Sequence, residues 1–152
     1  MEETLIKRIM PNSLEAEQSV IGSMIMDKEA IVVSMEILIQ EDFYHQQYGL
    51  LFQAMVELYN AGQPVDLVTL QDKLKAMNVP AEVSSLEFVR DLITSVPPSA
   101  NVKSYAQIVK DKSVLRRLIK VTEEIENQCY AGVGELEDIL ADTEKSIFNL
   151  LQ

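Results

Sequence analysis

Three observations predict an all-α fold. Apolar residues recur at three- and four-residue steps in one run after another. Cap residues and hydrophobic staples stand at the starts of those runs. The β-branched residues keep the helical period rather than the alternation of a strand. The expected architecture is a globular helical lobe of about five to six helices over residues 11–110, then a long helical hairpin over 111–152, with a mobile tail at 1–10.

Pro11-Asn12-Ser13 opens the first helix, with Asn12 as the expected cap and Glu15 at the third helical position. Leu14, Ile21, Met24 and Ile25 share a face, with Val20 beside them. Asp27 ends this helix and caps a second one that runs to about Ile39, stapled by Met26 and Ile31. After a connection over 40–44, Tyr48, Leu51, Phe52, Met55, Leu58 and Tyr59 give a third amphipathic helix, stopped at Asn60-Ala61-Gly62. Asp66 caps a fourth, with a Val65 to Leu70 staple, and Asn78-Val79-Pro80 closes it. Ser84 with Glu87 reads as a capping box and Val83 with Phe88 as its staple, so a fifth, short helix runs from there to Pro97-Pro98. From Asn101 one apolar pattern continues through Tyr105, Ile108 and Val109 without Pro or Gly until Gly132, which predicts a single long helix.

That helix becomes the first arm of the hairpin, with apolar residues at Val114, Leu118, Val121, Ile125 and Cys129 and a flank at Leu115 and Ile119. Gly132-Val133-Gly134 turns the chain, and Leu136, Ile139, Leu140, Thr143, Ile147, Leu150 and Leu151 line the second arm. Each arm extends roughly 25 Å, and two helices of that length cover only their facing stripes. The flanks need a further partner: the rest of the chain, a second hairpin in a four-helix bundle, or another protein.

The 152 residues suffice for one ordinary core, or for a compact domain with an appendage. An apolar fraction of 47% with five Gly and five Pro places the chain among folded globular proteins. There is no apolar run long enough for a membrane span and no signal-peptide pattern at Met1-Glu2-Glu3-Thr4, so a cytoplasmic location is expected. The single cysteine, Cys129, is expected to be a buried small hydrophobe. A net charge of -11 argues against gripping a phosphate backbone. The charge is uneven: residues 102–120 hold six bases against Asp111, and residues 121–152 hold eight acids against Lys145.

Catalysis is unsupported. There is no phosphate loop and no dinucleotide-binding glycine turn. His45 is the only histidine and lacks a companion ligand, so it reads as a surface or half-buried side chain. Glu123, Glu124 and Glu126 fit the polar side of the first arm, and Glu135, Glu137 and Asp138 fit the dipole of the second. Met24, Met26, Met35, Met55 and Met77 read as core filler. No cofactor or metal is expected. From the residues alone the chain is a homo-oligomerisation or adaptor module.

The phrase Pro11-Asn12-Ser13-Leu14-Glu15-Ala16-Glu17-Gln18-Ser19-Val20-Ile21-Gly22 resembles the opening of the N-terminal domain of bacterial DnaB-type replicative helicases. Asp42-Phe43-Tyr44, Gly62-Gln63-Pro64-Val65-Asp66 with Thr69-Leu70, Asn101 with Tyr105-Ala106-Gln107-Ile108-Val109, and Arg117-Leu118-Ile119 follow in the family's order. The resemblance implies a lobe and a hairpin that pairs with a neighbouring subunit's hairpin. It also implies a collar of three dimers on a hexameric ring, and a docking surface for the C-terminal, helicase-binding domain of DnaG primase. A helicase loader is a further implied partner, and direct nucleic-acid binding is expected to be slight. The ATP- and Mg-dependent motor would follow a linker beginning near Gln152, so a fragment that assembles without hydrolysing ATP is expected. Leu115, Leu118, Ile119, Thr122, Ile125, Ile139, Leu140 and Ile147 are the candidates for the dimer contact. Glu15, Phe88, Ile119 and Ile125 are the candidates for primase docking. A helical dimerisation or adaptor scaffold unrelated to replication is the alternative.

Overall fold

The computed structural model describes residues 8–95 and 101–152, and among them it is all-helical with no strand. The expected mobile tail falls mostly on residues 1–7, and the Pro97-Pro98 stop on 96–100; both lie outside the described residues. Two compact units are resolved, one of Asn12–Asp111 and one that includes Pro11 and Lys112–Gln152.

In the first unit, α1 spans Leu14–Met26. Its cap is Ser13, whose Oγ accepts from the Ala16 N–H at 3.2 Å, and not Asn12. Asp27 closes α1 and its Oδ1 accepts from the Glu29 N–H at 3.0 Å, which starts α2, Lys28–Ile37. That helix stops short of Ile39, which is exposed and leads into a 3-10 turn at Gln40–Asp42 where a plain connection was expected. Then comes α3, Gln46–Asn60. Gly62, at φ +72°, ends it with paired bonds from Gly62 N–H to Tyr59 O and from Gln63 N–H to Leu58 O, each 3.0 Å.

Asp66 caps α4, Leu67–Ala76, by exchanging bonds with Thr69. The helix ends in the same kind of paired bonds, from Asn78 N–H to Lys75 O and from Val79 N–H to Leu74 O. Asn78 takes the left-handed place at φ 58°, a conformation Asn tolerates better than most residues. The next cap differs from expectation. Ser84 closes a four-residue helix, α5, Ala81–Ser84, and Ser85 caps α6, Leu86–Thr94, its Oγ accepting from the Phe88 N–H at 3.2 Å. Pro80 starts a turn of its own, so the chain bends one residue later than Ser84 with Glu87 suggests.

The core is built by Val20, Ile21 and Met24 of α1, Ile31 of α2, Leu51, Phe52 and Met55 of α3, and Leu70 and Leu74 of α4. Val89 and Leu92 of α6 close it on another side. Ile21 and Leu51 are fully enclosed, and each contributes on the order of 2 kcal/mol by leaving water. Leu14 and Met26, read as inward, are 44% and 51% exposed, because each sits at an end of α1 where fewer neighbours cover it.

A single unbroken helix, α7, spans Val102–Ala131. Its first turns supply Ala106 and Val109 to the lobe core. The remainder pairs with α8, Leu136–Leu151.

Candidate assembly and docking surfaces

The hairpin turns at Gly132 and Gly134, at φ +61° and +94°. A Cβ at either would meet nothing within 4 Å, so the backbone angle and not the space demands glycine. The arms run antiparallel: Gln128 Nε2 donates to Asp142 Oδ2 at 3.3 Å near the turn. Nearer the open end, Arg117, Lys120, Val121 and Glu124 face Ser146, Asn149 and Leu150 across a cleft of about 320 Å³.

On α7 the half-buried stripe is Val114, Leu118, Val121, Ile125 and Gln128; on α8 it is Ile139, Thr143, Ser146, Ile147 and Leu150. The α7 stripe steps by four and three in turn, the drift a 3.6-residue helix imposes, so its last place belongs to Gln128. Cys129 is therefore exposed, contrary to the expected burial. Outside this seam stands a second set of apolar side chains: Leu115 and Ile119 on α7, Leu136, Leu140, Phe148 and Leu151 on α8, exposed between 36% and 78%. No residue of α8 is buried.

The dimer candidates thus divide. Leu118, Ile125, Ile139 and Ile147 lie in the seam between the arms, whereas Leu115, Ile119, Thr122 and Leu140 face outward. Thr122 is exposed, and its hydroxyl donates to the Ile119 carbonyl at 2.8 Å.

On the lobe, Glu15 is exposed in the first turn of α1 and lines a cavity of about 360 Å³ with Gln18, Ser19, Ser95 and Tyr105. Phe88 is half-buried, its ring stacked on Tyr48 at 6.1 Å with 19° between planes. Gln18 links the two, since its Nε2 donates to the Tyr48 hydroxyl at 2.9 Å. Ile119 and Ile125 belong to the hairpin unit.

Two buried carboxylates went unnoticed in the sequence. Glu17, 1% exposed, accepts from the Tyr44 and His45 backbone N–H groups and contacts His45 Nδ1, all at 3.0 Å. It is spaced three, four and seven residues from Val20, Ile21 and Met24, so an acid at the apolar face of α1 was the available signal. Asp42, wholly buried, accepts from the Ile39 N–H at 2.8 Å and pairs with Lys110 of α7 at 3.3 Å. Both shape the lobe around the 3-10 turn. Among the described residues no cluster of His, Cys, Asp and Glu could hold a metal ion, and no helix is long and apolar enough to cross a membrane.

Residues 9–111 match the family model described as DnaB-like helicase N terminal domain. The chain is 38% identical over 152 residues to the replicative DNA helicase DnaC of Bacillus subtilis (strain 168), covering 100% of this chain and 34% of that protein. It is 40% identical over 152 residues to the replicative DNA helicase DnaB of Geobacillus stearothermophilus, with the same coverage. The chain therefore spans about a third of the length of these curated relatives. Its fold is similar to the crystal structure of the N-terminal domain of DnaB helicase from Mycobacterium tuberculosis, with TM-score 0.87 and 31% identity over 93% of this chain and 99% of that one. The N-terminal domain of DnaB helicase from Helicobacter pylori, described with its interactions with primase, shares the fold at TM-score 0.67 and 22% identity, over 76% of this chain and 90% of that one. The alternative of a scaffold unrelated to replication falls with these matches: the chain belongs to the DnaB-like helicase N-terminal domain family.

Proposed function

We propose that this chain is the assembly and docking domain of a replicative DNA helicase: its hairpin pairs with the hairpin of a second copy, three such dimers form a collar, and the collar receives the C-terminal domain of DnaG primase. The observation that carries the pairing is α8, sixteen residues with an apolar outer row and no buried side chain. A helix of that length is marginal in water unless its apolar face is covered, and a second hairpin covers it in a four-helix bundle.

Within that bundle the outward Leu115, Ile119, Thr122 and Leu140 make the contact between copies, while Leu118, Ile125, Ile139 and Ile147 hold each hairpin together. Primase docks on the lobe surface that joins Glu15 to Phe88 through Gln18; Ile119 and Ile125 are separate docking candidates on the hairpin. The primase interaction described for the Helicobacter pylori domain is the precedent for that partner. In the whole protein, ATP hydrolysis with Mg²⁺ belongs to a further domain, a loader engages the assembled ring, and the protein works in the cytoplasm.

Ile119→Asp places a charge in the proposed apolar contact and is expected to weaken self-association at least tenfold while leaving the helix content unchanged. Sedimentation and circular dichroism check both halves. A wild-type chain that stays monomeric at high concentration would remove the pairing. Titration of labelled primase C-terminal domain into the wild-type chain is expected to saturate; no response at high concentration would remove the docking role.

A further inference from the structure

The hairpin has two unlike broad sides. At about 100° per residue, Leu115, Ile119 and Thr122 of α7 fall within about 60° of one another, and Arg117, Lys120 and Glu124 fall within another span of about 60°, roughly 160° away. The second arm repeats the division, because Asn149 lies roughly 160–180° round α8 from Leu140 and Leu151. The half-buried seam runs between the two sides. A partner on the apolar side therefore leaves the other side open, and that side holds the cleft of about 320 Å³ near the open end.

The chemistry of this cleft is graded along its length. Arg117 and Lys120 bring two positive charges, Asn149 adds a neutral hydrogen-bonding group from the facing arm, and Val121 and Leu150 contribute apolar surface. Arg117 Nη2 donates to the buried Ser113 Oγ at 3.3 Å, which ties the guanidinium down. Glu124 follows Arg117 by two turns, about 10 Å along the axis, and puts an acceptor at the far end. A phosphate monoester carries about -1.5 to -2 near neutral pH, which two cations balance and a carboxylate would not match. The planar guanidinium also suits its oxygens in pairs. The net charge of -11 argues against a long strand but not against a single phosphate.

We propose that this cleft binds a nucleoside monophosphate. Its phosphate sits on Arg117 and Lys120, its ribose hydroxyls meet Asn149, its nucleobase lies against Val121 and Leu150, and the nucleobase amino group donates to Glu124.

Titration of adenosine monophosphate into the isotope-labelled chain, followed by amide chemical shifts, tests the site. The Asn149 side-chain amide and the backbone amides of residues 117–124 and 146–150 are expected to move, while those of 136–140 stay in place. The nucleotide should bind at least tenfold more tightly than inorganic phosphate or adenosine, each of which fills only part of the cleft. Arg117→Gln and Lys120→Gln should each weaken it at least tenfold with helix content unchanged by circular dichroism. Glu124→Gln should weaken the nucleotide and leave inorganic phosphate unaffected, a split that a merely charged surface does not produce. Shifts that stay constant up to millimolar nucleotide overturn the site. Equal affinity for inorganic phosphate and the nucleotide reduces it to an ion seat and overturns the ligand class. An unphosphorylated deoxythymidine oligonucleotide that moves the same amides at lower concentration assigns the cleft to a nucleic-acid backbone and overturns the proposal.

Discussion

Glu17 shows how a residue inside the lobe governs its surface. The carboxylate is enclosed, and two backbone N–H donors and the His45 ring nitrogen, all from the Tyr44–His45 segment, converge on it. Glu17→Gln keeps the shape but offers one acceptor oxygen in place of two, so at least one buried N–H loses its partner, at a cost of about 1–3 kcal/mol. The shift should be read from the urea midpoint, with an unchanged midpoint counting against the clasp. Asp66 is the exposed counterpart. The Thr69 backbone N–H, above all, holds its carboxyl below the ordinary value of 3.8; desolvation opposes that, and the Thr69 side chain and Val68 N–H add smaller lowering contributions. A lowered carboxyl stabilises the fold fully above its unfolded value, and the contribution disappears as the pH falls through the folded one. Thermal melts of the wild type and Asp66→Asn should therefore differ most above pH 4 and converge in stronger acid. The sequence made Asp66 legible because capping is local. Glu17 and Asp42 were not, because what fills their lone pairs arrives from other parts of the chain.

At the scale of elements, the starts of α1, α2, α4 and α6 were readable to within a residue, whereas the four-residue α5 was not foreseen, and the shift it imposes on α6 is instructive. Ser84 and Ser85 stand side by side, and only Ser84 is followed three residues later by a glutamate, so the capping-box pattern points to the wrong serine. The bend after Pro80 gives the first serine to α5 and the second to α6. Ser85→Ala should cost about 1 kcal/mol. Ser84→Ala, whose hydroxyl only approaches the Ala81 carbonyl at 3.5 Å, should cost less than half as much, and paired denaturation curves distinguish them. The hairpin arms were legible from period alone. Their division into inner and outer faces was not, because choosing between Gln128 and Cys129 for the seam needs the facing helix. Asp142 supplies the missing fact, by receiving the Gln128 amide. The same limit separates Ile125, half-covered, from Ile119, open to a partner.

For the whole molecule, the apolar pattern foretold lobe and hairpin because each helix must hide one face. Which parts of the hairpin stay uncovered depends on geometry that only the folded arms show. If the uncovered rows close on a second copy, stability becomes a matter of mass action. The melting midpoint of a dimer that unfolds as one unit is then expected to climb by about 2 °C for each tenfold rise in chain concentration. Calorimetry across a hundredfold range checks this, and a constant midpoint would argue for a self-sufficient monomer.

The bare α8 also bears on how long an unpartnered subunit survives. In a solitary copy only one side of that helix is sheltered, so local opening there costs far less than unfolding the lobe. A protease that samples open segments should cut first beyond Gly134, and the rate should follow the open fraction. If copies pair as proposed, surplus subunits would be cut sooner than paired ones. Limited proteolysis at rising concentrations should lengthen the half-life of the intact hairpin before that of the lobe.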